Sequence, residues 1–170
     1  MLFRSGDNLN QSDAVQAVVD KFGAADLSTL ESDFEPELQR STYAPGAPVA
    51  RFMNGSDSKE GVLDNAATIK ASSPLTYIGA KTPPFLVMNG SKDNIISPSQ
   101  SLKLTKALKG AGVDTQWYVL DGAKHGDMAF VGDHEAGKPW STRQVLDLMT
   151  VFFHQHLDPK AVAMTDAPKS

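Results

Sequence analysis

Asp93 and His125 are the two side chains whose setting in the chain suits chemistry. Asp93 follows a short apolar run, Phe85-Leu86-Val87-Met88, that ends at Asn89-Gly90. His125 follows a second β-rich run, Gln116-Trp117-Tyr118-Val119-Leu120, that ends at Asp121-Gly122. Between them Pro98 opens a helical pattern that stops at Gly110 to Gly112. A carboxylate and an imidazole therefore each lie just past the C-terminal end of a strand, where open α/β sheets collect ligands. Taken alone, Asp93 also suits an ordinary turn and His125 a plain loop. Each strengthens the functional reading of the other, and the small residues around His125 leave it accessible. His125, Asp127, Asp133 and His134 have the right chemistry for a divalent ion, but their spacing fits no zinc motif. His154 and His156 read as surface residues, and Trp117 and Tyr118 as sheet packing.

The elements that must carry these residues alternate strand and helix. Val15 to Asp20 is apolar and β-branched nearly throughout, the pattern of a strand buried on both faces. Ser28, with Glu31 three residues on, suits a helix cap. From Glu31 to Ala71 the chain is polar and broken by Gly46-Ala47-Pro48 and Asn54-Gly55-Ser56, with helical turns expected between Asp64 and Lys70. A connection this long suits a lid or binding segment as well as a plain helical crossover. Ser99 to Ala111 reads as a helix with Leu104, Ala107, Leu108 and Ala111 on one face. Asp127 to Pro139 reads as a loop. Ser141 to Leu157 reads as a helix whose stripe is Val145, Leu148, Met149, Phe152 and Phe153. The expected fold class is therefore α/β, with a parallel core of about three strands and flanking helices. Residues 1–158 form a single domain, 28–72 are its insert-like region, and 159–170 a flexible tail.

Composition narrows the function classes. A chain of 170 residues, 41% hydrophobic and 21% charged, supports one globular core. The net charge of −4 and the absence of a basic patch argue against nucleic acid and anionic membrane surfaces as partners. No cysteine is present, which excludes disulfides and thiolate metal sites. No apolar run is long enough for a membrane span, and Met1-Leu2-Phe3-Arg4 shows no signal peptide. Asn10, Asn54 and Asn89 each begin a glycosylation sequon, a short pattern that often arises by accident. Asn89, at a strand end, is a poor acceptor.

Asn89-Gly90-Ser91-Lys92-Asp93 with Pro98, and Gly122-Ala123-Lys124-His125-Gly126, resemble the acid and histidine motifs of the α/β-hydrolase superfamily. More narrowly they resemble its esterase and lipase branch. Val15 to Leu27 is similar to the strand that follows the nucleophile helix in that branch, and Ser73-Pro74-Leu75-Thr76-Tyr77-Ile78 to the segment leading into the acid strand. The resemblance runs from about Ser5 to Leu157 and covers the C-terminal half of the fold. It implies a serine hydrolase acting on carboxylic esters, with a small-molecule ester as substrate and neither metal nor organic cofactor. It also implies His125 as general base and Asp93 as the carboxylate that fixes its tautomer.

The nucleophile does not follow. The family places its serine on a Gly-x-Ser-x-Gly elbow, and no such pattern occurs in the 170 residues. Three readings stand: a truncated esterase lacking its own nucleophile, a small variant that recruits Ser5, Ser12 or Ser91, and a catalytically silent binding or self-association module. Without the nucleophile strand beside it, Val15–Asp20 becomes an apolar edge that invites pairing with a second copy or coverage by the N-terminal segment.

Overall fold

The computed structural model describes residues 10–12, 14–126 and 132–157, apart from the side chains of residues 31, 32 and 42. The tail expected beyond residue 158 lies outside them. Three strands form one sheet: β1 (Val18–Lys21), β2 (Phe85–Gly90) and β3 (Thr115–Leu120), in the order β1-β2-β3 and parallel throughout. Parallel neighbours require crossovers, and the chain supplies them. The first crossover carries a 3₁₀ segment (Leu27–Asp33) and three short helices, α1 (Pro36–Thr42), α2 (Pro48–Asn54) and α3 (Ala66–Ser72). The second is α4 (Pro98–Gly110). After β3 come the single turn α5 (His134–Gly137), a 3₁₀ segment (Lys138–Ser141) and α6 (Arg143–Leu157). The α/β expectation, with three parallel strands and flanking helices, is met.

Alternation along β2 divides the core. Leu86 and Met88 join Leu120, Trp140, Val145 and Phe152 on one face. Val87 joins Leu104 and Leu108 on the other. Side chains on a strand point to opposite faces in turn, so the central strand is covered by α6 on one side and α4 on the other. A third cluster lies within the first crossover: Leu27, Leu30, Tyr43, Ala50, Val62 and Ile69, joined by Ile96 from the loop after β2. The polar stretch from Glu31 to Ala71 is thus held by scattered apolar residues that show little periodicity because each helix is only two turns long. Among the described residues no helix is long and apolar enough to cross a membrane.

Several boundaries differ from the sequence reading. β1 begins at Val18, not Val15, which is exposed, and the strand is half-buried rather than buried on both faces. It lies at the sheet edge, with β2 its one paired neighbour among the described residues. Asn89-Gly90 does not break β2 but continues it, in register with Val119 and Leu120. The cap of the first 3₁₀ segment is Asp26, not Ser28: its carboxylate accepts the Ser28 backbone N–H at 3.2 Å. Ala111 and Phe153 are exposed, so the buried stripes of α4 and α6 are narrower than expected, and α4 instead buries Gln100, Ser101 and Thr105. The loop expected over 127–139 is helical from His134 onward, and residues 127–131 lie outside those described.

Candidate functional site

The two candidate side chains meet. β2 delivers Asp93 three residues past its end, and β3 delivers His125 five residues past its own. His125 Nδ1 stands 2.9 Å from Asp93 Oδ2. The Asp93 side chain is fully buried, and that of His125 is 15% exposed. The other carboxylate oxygen, Oδ1, accepts the backbone N–H groups of Ile95 at 2.8 Å and Ile96 at 3.0 Å. Those two bonds satisfy the buried acid and fix its rotamer, which a buried carboxylate requires. An ionised carboxylate only accepts. Against an ionised carboxylate Nδ1 is the donor of this bond, and a neutral imidazole then presents its lone pair at Nε2.

The strand ends are shaped for this approach. Lys92 N–H donates to Ala123 O at 3.0 Å and Ser91 N–H to Leu120 O at 2.9 Å, so the acid and histidine loops are laced together. Gly90 allows them to touch: a Cβ there would stand 2.2 Å from Ala123 O. The glycine of the Asn-Gly pair therefore serves close backbone approach, not a turn. Asn89 is buried and spent on packing, with its Oδ1 accepting the Trp117 indole N–H at 2.8 Å.

A second layer was not legible in the sequence. Phe22, just past β1, lies with its ring centroid 4.4 Å from that of His125. Its φ of +50° is an uncommon conformation for a bulky residue. Trp140 meets Phe22 edge-on at 4.7 Å and donates its indole N–H to Lys124 O at 2.9 Å. Lys21 Nζ lies 5.5 Å from the ring centroids of both Phe22 and Trp140. From the first crossover, the Tyr43 hydroxyl donates to Ile95 O at 2.6 Å. Burial, followed by the charges of Asp93 and Asp33, pushes the Tyr43 phenol well above its usual range, so it stays a donor. The small residues beside His125 do not simply leave it accessible: Gly126 makes room for Trp140. A Cβ at Gly126 would stand 2.5 Å from Trp140 Cδ1.

The remaining candidates are placed elsewhere. Ser91 Oγ donates to Asp121 Oδ1 at 3.0 Å and accepts Gly122 N–H at 2.7 Å, so it is committed to the turn after β3. Ser12 is exposed and accepts Ala14 N–H at 3.2 Å. Ser5 and Asp127 lie outside the described residues. Asp133 caps α5 by accepting Ala136 N–H at 3.1 Å, and no cluster of three metal-ligating side chains occurs among the described residues. His154 is exposed as expected, but His156 is half-buried against the Phe152 ring at 4.6 Å. An apolar groove of about 450 Å³, lined in part by Leu27, Val49, Phe52 and Pro74, contains neither Asp93 nor His125.

Comparison with known proteins finds a family and several solved structures similar to this chain. The BD-FAE family model matches residues 4–108, a span that includes Asp93 and stops short of His125. Esterase LipQ of Mycobacterium tuberculosis is 31% identical over 113 residues, 66% of this chain and 24% of that protein. A truncated form of a carbohydrate esterase from gut microbiota superposes with a TM-score of 0.69 at 23% identity, over 89% of this chain and 46% of that one. The thermophilic esterase Est2 of Thermogutta terrifontis superposes at 0.56 and 22% identity, over 94% of this chain and 49% of that one. The chain thus spans about a quarter of LipQ and about half of each of these two structures, with which it shares the α/β-hydrolase fold.

Proposed function

The chain belongs to the BD-FAE family, and from that premise we propose that it serves the hydrolysis of carboxylic esters, with His125 as general base and Asp93 as its orienting acid. One observation carries the reading: a buried carboxylate, fixed by two backbone N–H groups, lies 2.9 Å from the Nδ1 of a partly open imidazole. In acyl transfer to a serine hydroxyl, Nε2 takes the serine proton as the oxygen attacks the ester carbonyl. It returns that proton to the departing alkoxide, and a water then repeats the sequence to release the acid. The carboxylate holds the tautomer and stabilises the imidazolium that forms between the two transfers. An esterase among the relatives and esterases among the structural neighbours support the ester as substrate class.

The serine of this reaction is not proposed from the chain's own described residues. With Ser91 tied into the Asp121–Gly122 turn and no Gly-x-Ser-x-Gly present, we propose that this chain contributes the acid–base half of the machinery. A fluorophosphonate probe followed by peptide mapping tests this directly. The chain alone is expected to remain unlabelled, and a label on Ser5, Ser12 or Ser91 would overturn the assignment. Hydrolysis of a short-chain p-nitrophenyl ester, by any assembly containing the chain, should fall at least a hundredfold in His125→Ala. Unchanged rates in both His125→Ala and Asp93→Ala would instead favour a silent binding module.

A further inference from the structure

We infer that Phe22 and Trp140 are positioning residues for His125, holding the plane of its imidazole where the Asp93 bond alone would leave it free to swing. The inference rests on the acid–base reading of His125 given above. A single hydrogen bond at Nδ1 fixes one atom of a ring. It leaves rotation about the side-chain torsions, and terminal torsions onto an sp² ring have broad wells.

Three contacts remove that freedom. The Phe22 ring lies against the imidazole, with centroids 4.4 Å apart and planes inclined at 54°. Trp140 backs Phe22 edge-on, 4.7 Å away and at 84°. The same indole grips the histidine's backbone on both sides. Its N–H holds Lys124 O at 2.9 Å, and its ring fills the space that a side chain on Gly126 would need. Both aromatic residues are buried, with 6% of Phe22 and 3% of Trp140 exposed. The backbone of Phe22 donates to Met88 O at 2.7 Å, one step beyond the β1 ladder, and then takes the positive φ that turns the ring onto His125. A bulky residue keeps such a φ only where its surroundings hold it there. The ladder bond and the rings of Trp140 and His125 are those surroundings.

The test reads the imidazole itself, in the full chain with ¹⁵N-labelled histidine. In the parent protein the His125 nitrogens should show the Nδ1–H tautomer, with a slowly exchanging Nδ1 proton. Phe22→Leu should move both nitrogen shifts toward the averaged values of a mobile ring and speed Nδ1 proton exchange about tenfold, while the amides of Leu86 to Met88 stay protected. Phe22→Tyr, which keeps the ring, should hold the parent values. Phe22→Leu with parent nitrogen shifts and parent exchange overturns the inference. Where Phe22→Leu loses the fold, Trp140→Phe decides by the same readout, since it keeps a ring but removes the donor to Lys124 O. No turnover is needed. Failure of the hydrolase reading, seen in the probe and ester assays, is therefore distinguishable from failure of this one.

Discussion

Tyr43 donates its hydroxyl to the backbone carbonyl of Ile95 across 2.6 Å, joining the first crossover to the loop that holds Asp93. Ile95 N–H and Ile96 N–H are the groups that fix the Asp93 carboxylate, so the tie reaches the acid through one residue. Ile96 is itself packed into the apolar cluster of the crossover. On this geometry we propose that residues 28–72 act as a brace for the acid loop, within the insert-like region expected from the sequence. Tyr43→Phe removes the donor and leaves a carbonyl with one partner fewer. It should cost about 1–2 kcal/mol in urea denaturation, with faster exchange at the Ile95 and Ile96 amides. Unaltered exchange at both amides would separate the crossover from the acid.

Gly90 and Gly110 predict opposite responses to the same substitution. A Cβ at Gly90 would collide with backbone, 2.2 Å from Ala123 O and 2.9 Å from Lys124 O, and backbone yields far less than a side-chain tip. Gly90→Ala should destabilise by about 3 kcal/mol, the upper end of ordinary overpacking. It should also push the His125 loop off β2. At Gly110, the last residue of α4, no described residue beyond its own helical turn lies within 4 Å of the added carbon. Gly110→Ala should therefore be neutral or gain about 0.5 kcal/mol through the unfolded chain. Equal midpoints for the two variants in thermal melts would contradict the close-approach role of Gly90.

What the sequence made legible was whatever rests on local pattern. The β2 and β3 runs, the α4 helix between them, and Asp93 and His125 at the strand tips could all be read because strand period and turn residues are short-range signals. So placed, the two side chains stand 2.9 Å apart. Phe22, Trp140 and Tyr43 were not legible as parts of the site, since each reaches it through tertiary packing from a different element. Of the short helices in the first crossover, α3 answers the turns expected between Asp64 and Lys70, while α1 and α2 escaped for a related reason: two turns are too few to show a period, and their apolar residues are united only in three dimensions. The Asn-Gly pair was legible as a special position but misread in mechanism, because Gly90 answers a neighbouring strand's loop and not its own backbone.

Asp20 should make stability depend on pH. Burial raises its carboxyl from 3.8 to about 6, only partly offset by the backbone hydrogen bond from Gly23, and Oδ2 is buried with no hydrogen-bond partner among the described residues. Because the folded value lies above the unfolded one, the folded state binds more protons between pH 4 and 6. Stability therefore falls as pH rises through that window and is level above it. A gap of about two units is worth at most about 3 kcal/mol. Asp20→Asn keeps an acceptor for Gly23 and carries no charge to desolvate. Its stability advantage over the parent should be near zero at pH 3.5 and grow toward that figure by pH 8. A difference that stays flat across pH would show that Asp20 is well solvated.

The open side of β1 leads to the last prediction. Val18 N–H donates to Pro84 O and Phe22 N–H to Met88 O, both toward β2. In a parallel strand successive N–H groups point to alternate sides, so those of Val19 and Lys21 face away from the sheet. An edge unpaired among the described residues is a template for another strand, and we propose that a second copy of the chain pairs there. Sedimentation should then show mass rising with concentration. Hydrogen exchange should slow at Val19 and Lys21 over the same range, while Val18, already bonded within the sheet, changes little. A monomer at every concentration, with the Val19 amide exchanging at the rate of a free peptide, would leave the edge without an occupant and remove self-association as the chain's means of covering it.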